Sequence, residues 1–368
     1  MKTTQLHHQV ALTLLEGVGP KSARSLVAYM GSPSAIFNEK KNLRTTIPGF
    51  SKERFRHLNT TKALLEAEKV VDFIEKHNLK ATFYLDEDYP YRLKQCQDAP
   101  TLLYSKGDFE LNPKRSIAIV GTRNMTTYGK KIIKELVSSL KPFNVQIVSG
   151  LAYGVDVCTH RCCLDYDIST VGVLGHGLDR VYPSHHREVA KKMMSSNGGL
   201  LTEFPNGTNP DRENFPKRNR IVAGITDATI IVESGKKGGS LITAHLANDY
   251  SRDVFAYPGN IDSPYSIGCN NLIASDKAHL VTCANDIIKM LDWEVKEKPK
   301  PIQTNIFQQL TGDEKKVVKK IKEFEKISLD VLSVKLKTPV SILSALLLNL
   351  ELKGIIMTLP GKKYTLGM

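Results

Sequence analysis

The stretch "SIAIVGTR", Ser116 to Arg123, carries five residues that suit a buried strand and then stops on a glycine. A short, unbroken apolar run ending in this way has the pattern of a parallel strand covered on both faces. Working outward, similar runs recur at Val145–Ser149, Thr170–Leu174, Leu200–Glu203, Ala228–Glu233 and Val254–Tyr257, with segments of helical length between them. That rhythm predicts an α/β fold, a doubly wound and mostly parallel sheet with helices on both faces. In such sheets ligands bind beyond the C-terminal ends of the strands, so the residues just after each run carry the functional information.

After the first run come Gly121, Thr122 and Arg123. The dinucleotide fingerprint G-x-G-x-x-G is absent; what stands there is a guanidinium at the start of a βα turn, where backbone N–H groups also favour anions. Ser149 and Gly150 follow the second run. After the fourth, a long excursion reaches Arg212 and then "NFPKRNRIVAG", Asn214 to Gly224. A helix is expected to begin at Asn219, with Ile221 and Val222 packed inward and Lys217, Arg218 and Arg220 facing the mouth of a pocket. Phe215 offers an aromatic face beside them. The fifth run leads into Gly235-Lys236-Lys237-Gly238-Gly239-Ser240, which lacks the G-x-x-x-x-G-K-[ST] order of a P-loop but retains an anion nest at a helix start. Asn270 opens a last helix after Pro258-Gly259.

Catalytic patterns are poorer. Asp156 and His160 share a helix face, and Glu203 and Glu233 end strands, but no nucleophile is paired with a base. Cys158, Cys162 and Cys163 lack zinc-finger spacing, which favours core packing over metal or redox chemistry. These patterns predict binding rather than turnover, with no metal and no cofactor.

The flanks differ in character. Residues 1–113 are expected to form a helical domain, with Gly17-Val18-Gly19-Pro20 as a turn like that of a helix-hairpin-helix motif. Such a turn either grips a DNA backbone or merely joins two packed helices. The α/β domain spans 114–293, a charged and proline-bearing linker spans 294–305, and 306–368 shows three helices and a hairpin, a winged-helix-like pattern found in both DNA-binding and protein-binding domains. The 368-residue chain carries 51 Lys+Arg against 38 Asp+Glu, a net charge of +13 that concentrates polyanions around it. Neither a secretory signal nor a run long enough to span a bilayer is visible, so a cytoplasmic protein is expected.

Taken together, Gly121-Thr122-Arg123, "SGLAYGVDVCTH", "GVLGHGLDRVYP", "LTEFPNGTNPDRENFPKRNRIVAG", "VESGKKGGSLITA" and "VFAYPGNIDSPYSIGCNNLI" resemble the DNA-processing protein A (DprA/Smf) family across the whole middle region. The resemblance implies a Rossmann-like domain that binds single-stranded DNA, protects strands entering by natural transformation, helps load the RecA recombinase, and pairs as a homodimer. Carried over by motif, Gly121, Thr122 and Arg123 would hold phosphate, and Ser149, Gly150, Gly238, Gly239 and Ser240 would line the same pocket. Arg212, Lys217, Arg218, Asn219 and Arg220 would form a basic and polar rim, with Asn270 beside it and Phe215 as the stacking surface. The family commonly has Ala or Gly at the three clustered cysteines, which agrees with core packing. Two other readings stand against this one: a nucleotide phosphoribohydrolase on the same sheet, using Glu203 or Glu233, and a winged-helix transcription regulator.

Overall fold

The computed structural model describes residues 2–38, 58–293, 310–324, 326–359 and 361–366, so the expected linker at 294–305 lies outside the described residues. The chain divides into two compact units, Met1–Val295 and Lys296–Met368.

The first unit is built on a nine-stranded sheet. Its strands are β1 Lys80–Phe83, β2 Leu102–Gly107, β3 Ser116–Val120, β4 Gln146–Ser149, β5 Thr170–Val173, β6 Gly198–Thr202, β7 Ala228–Ile231, β8 Asp253–Ala256 and β9 His279–Leu280. They lie in the order β1-β2-β6-β5-β4-β3-β7-β8-β9. From β6 to β9 every pairing is parallel; β1 pairs with β2, and β2 with β6, antiparallel. The strand order reverses between β3 and β7, and a ligand crevice is expected at that switch point.

Period-two alternation sorts β3 between two cores. Ile117 and Ile119 pack against the helices Thr127–Leu140, Val155–Asp165 and Ala284–Met290. Ala118 and Val120 face the helices Asn214–Gly224, Gly239–Asp249 and Ile267–Ala274. Each fully buried side chain of the size of Ile133 or Ile221 contributes roughly 1.5–3 kcal/mol. Cys158 and Cys163 are buried in the first of these cores.

The N-terminal helices Lys2–Thr13, Pro20–Met30, Pro33–Asn38 and Thr60–Lys76 share a core with Phe83, Leu102 and Tyr104. Pro20 stands in the first turn of its helix behind Gly19, as the sequence predicts. The segment expected to be mostly helical also gives two strands to the sheet. Runs as short as Lys80–Phe83 and Leu102–Gly107 have no periodicity that separates strand from buried helix, and burial decides: Leu102, Leu103 and Tyr104 are at most 2% exposed.

The second unit carries the helices Gly312–Phe324, Leu329–Leu336 and Val340–Leu352 and a three-stranded antiparallel sheet. Its strands are β10 Ile327–Ser328, β11 Ile356–Leu359 and β12 Lys363–Leu366. Val318, Ile321, Leu332, Leu343, Leu347 and Leu350 are central to its own core.

Candidate nucleic-acid interface

At the switch point the loops after β3, β4 and β7 and one face of the Asn214–Gly224 helix enclose a cleft of about 640 Å³. Its wall includes Gly121, Thr122, Arg123, Gly150, Arg212, Phe215, Arg218, Asn219, Gly238, Gly239 and Ser240.

The β3 loop is fixed from behind. Thr122 N–H donates to the Glu233 carbonyl at 2.7 Å, and Val155 N–H to the Thr122 carbonyl at 3.1 Å. Gly154 sits at φ +75°, and a Cβ there would lie 2.3 Å from the Thr122 carbonyl oxygen, so only glycine fits. The buried Glu233 carboxylate clips the same loop, accepting from Thr126 N–H at 2.9 Å and Thr126 Oγ at 2.6 Å. Past β7, Gly238 caps the Gly239–Asp249 helix without a side-chain acceptor, while Ser240 Oγ donates to Ser234 Oγ at 2.9 Å. The Leu241 N–H turns back to the Gly238 carbonyl at 3.1 Å, while the N–H groups of Gly239 and Ser240 keep their capacity for an anion at the cleft wall.

A buried ionic layer lies beneath. Asp156 Oδ2 accepts from Gly150 N–H at 3.2 Å and Ala152 N–H at 3.4 Å. Arg218 Nη1 donates to the carbonyls of Gly150 and Val173, tying the ends of β4 and β5 together. Burial raises the Asp156 carboxyl above its usual range, with Arg218 opposing the shift; burial lowers the Arg218 guanidinium, with Asp156 opposing that. Behind them His160 is fully buried, its Nδ1 paired with Thr170 Oγ at 2.7 Å.

The exposed layer is small. The Arg123 guanidinium lies 5.5 Å from the centre of the Phe215 ring, within cation–π range. Tyr182 adds a second ring 6.2 Å from that of Phe215, tilted by 36°. Tyr182, Ala152, Pro210, Pro216, Ile242 and Thr243 line the cleft without having been expected from the sequence. For Tyr182 a signal was present, an aromatic residue within the "DRVYP" motif.

Four expected residues lie elsewhere. Ser149 Oγ is buried and donates to the Ile119 carbonyl at 2.6 Å, inside the sheet. Asn270 holds Gly259, accepting its N–H at 3.1 Å and donating to its carbonyl at 3.0 Å. Lys217 and Arg220 line a second cleft of about 410 Å³ on the other side of the helix, facing Gly19, Pro20 and Phe204. There Arg220 pairs with Glu203 and also donates to the Asp98 carbonyl. Nor does Arg218 stand at the pocket mouth, since it is only 5% exposed. The reason is helical phase: the helix starts at Asn214 rather than Asn219, and Pro216 is tolerated in its first turn, where no intrahelical donor is lost. Positions 217 and 220 then share one side, while 218 turns under the β4 and β5 ends.

Neither strand-end carboxylate is poised for turnover. Glu203 is committed to Arg220, and Glu233 to Thr126.

The family model for DNA recombination-mediator protein A matches residues 80–292. The chain belongs to that family. A model of the DprA winged helix domain matches residues 303–362. Protein Smf of Synechocystis is 29% identical, covering 99% of both chains, and Protein Smf of Escherichia coli is 32% identical over 75% of this chain and 74% of its own. Among solved structures, DNA processing protein A of Streptococcus pneumoniae superposes with a TM-score of 0.66 at 28% identity, covering 77% of this chain and 97% of its own. DNA processing protein A of Helicobacter pylori, described by its single-stranded DNA binding mode, gives 0.52 at 29% identity, covering 58% and 95%.

Proposed function

We propose that this chain binds and protects single-stranded DNA in uptake by natural transformation and in recombination, and helps load the RecA recombinase onto the bound strand. One observation carries the reading. A cleft whose wall joins glycine-bearing loops and a helix start to an exposed guanidinium against an aromatic ring suits a phosphate next to an unpaired base. The net charge of +13 supports a polyanionic ligand, and family membership narrows it to DNA. Arg123, Arg212 and the backbone N–H groups of Gly239 and Ser240 take phosphate, Gly121, Thr122, Gly150 and Gly238 shape the wall around it, and Phe215 with Tyr182 takes bases. Arg218 acts as the brace beneath them.

The protein works as a binder rather than an enzyme. A phosphoribohydrolase would need Glu203 or Glu233 free for ribosyl hydrolysis, and both carboxylates are spent on structural partners. The chain pairs with a second copy through its α/β unit, and the 114–293 segment carries the principal DNA site. Among the described residues no single helix is long and apolar enough to cross a membrane.

The test is a gel shift with single- and double-stranded oligonucleotides. Arg123→Ala weakens single-strand binding, whereas deletion from residue 301 onward leaves it largely in place. The opposite pattern would make the winged-helix unit the binder. Equal affinity for double-stranded DNA would remove the stacking role of Phe215.

A further inference from the structure

The second cleft, of about 410 Å³, opens on the other side of the Asn214–Gly224 helix from the one that takes DNA. The two share their borders. In the excursion after β6, Phe204 and Pro205 line the second cleft, and Pro210 and Arg212 the first. The start of the helix divides them, with Pro216 and Asn219 toward the first and Lys217 toward the second. A helix with its side chains is about 10–12 Å across. At about 3.4 Å or more per nucleotide, roughly three steps of a strand cover that width.

Charge in the second cleft is mostly spent within the chain. Asp98 Oδ1 accepts from the Tyr250 hydroxyl at 2.7 Å, and Arg220 is divided between Glu203 and the Asp98 carbonyl. Lys217 differs: it is exposed, and among the described residues it enters no ion pair, so it calls for an anion. The rest of the wall is largely apolar, with Val18, Pro20, Pro100, Phe204 and Pro205, a face suited to a base rather than to a bare ion. The Gly17–Pro20 turn forms the far side. Gly17 sits at φ +75°, which favours glycine, but Gly19 sits at φ −82°, open to any residue, and a Cβ there would meet nothing within 4 Å. Neither strain nor packing calls for glycine at position 19; what it leaves is uncovered backbone on the cleft.

We propose that a strand held in the first cleft continues over the start of the Asn214–Gly224 helix into the second, with Lys217 on a backbone phosphate and a base against Phe204 and Pro20. This rests on the single-strand reading of the first cleft and lengthens it: the N-terminal helices become one wall of a continuous groove. The occupant is single-stranded, because only a flexible strand turns around one helix and offers an unpaired base to an apolar wall. Duplex DNA, stiff over about 50 nm, does not follow such a path.

Fluorescence anisotropy on the full chain tests this with oligothymidylates of about 4 and about 16 nucleotides, the ends of the range for a single groove. Each is titrated from about 0.05 to about 0.2 M salt. Lys217→Gln should weaken the long oligomer several-fold and lower its salt slope by about 0.7, the share of one phosphate on a single strand, with the short one unchanged. Gly19→Glu sets a carboxylate into open space and should weaken the long oligomer by about tenfold while the short one stays within about twofold. Arg123→Ala should weaken both lengths, and Lys217→Arg should restore the long one. Positions 19 and 217 are exposed, so an unchanged melt is expected and separates lost binding from lost folding. Equal losses on both lengths overturn the proposal. So does a long oligomer blind to both variants, as a strand bridging the first clefts of two copies would be. If the unaltered chain held neither oligomer, the single-strand reading itself would fall, and the continuation with it.

Discussion

Arg123 and Arg218 border the same cleft and do opposite work. Arg123 is exposed, rests against Phe215 and keeps its donors for a ligand. Arg218 is buried and gives its donors to the carbonyls of Gly150 and Val173. The cleft therefore has a contact layer of Arg123, Phe215 and Tyr182 above a bracing layer of Asp156, Arg218, His160 and Glu233. Changes in the upper layer should register as affinity, and changes in the lower layer as stability.

The sharpest attempt to break that division is Arg218→Ala. It leaves two buried strand-end carbonyls without their donor and removes the cation that opposes the rise of the Asp156 carboxyl, so unfolding free energy should fall by about 1–3 kcal/mol for each carbonyl. Denaturant melts measure this directly, and a fully stable variant that merely binds DNA less well would collapse the two layers into one. Next in size is Phe215→Ala, with a loss of roughly 1–3 kcal/mol for single-stranded DNA. The loss should be absent for duplex, and the melting temperature should hold.

The lower layer has its own pH signature. Burial, assisted by the nearby His186 and Arg218, holds His160 down to about 3 from an ordinary 6.5. A depressed folded value means the unfolded chain takes up the proton first. The associated stability is complete above pH 6.5 and is lost as pH falls from there toward 3. Between those limits the slope approaches about 1.4 kcal/mol per pH unit for this one proton. His160→Gln should flatten that slope in pH-dependent melts, and an unchanged slope would remove His160 from the acid response. The smallest effect belongs to Arg123→Ala. It should weaken single-strand binding by about 1 kcal/mol and reduce the salt slope by about 1, with no change in stability.

The strands of the α/β region and the loops at their C-terminal ends were legible in the sequence, because unbroken apolar runs ending on small or polar residues leave few alternatives; their order across the sheet was not. Gly121, Gly150 and Gly239 reach the cleft wall as expected. The side on which each cation falls was not legible. Lys217, Arg218 and Arg220 are nearly adjacent in the chain, and moving the helix start by five residues, from Asn219 to Asn214, sends Lys217 and Arg220 to the second cleft and Arg218 beneath the first as a buried brace. β1 and β2 escaped for a related reason: four to six residues hold too little periodicity to reveal a partner that lies about a hundred positions further on, as Tyr104 opposite Thr202 illustrates.

The Arg218 stitch also bears on what gives way when a strand arrives. With the β4 and β5 ends laced to one helix and the β3 loop clipped by Glu233, the receiving surface has little freedom left to lose. Adjustment then falls to the incoming polymer, whose backbone is the softer body. Capture rates should accordingly follow the stiffness of the oligonucleotide, with flexible thymine tracts seated faster than stacked adenine tracts of equal length, while the protein itself stays still.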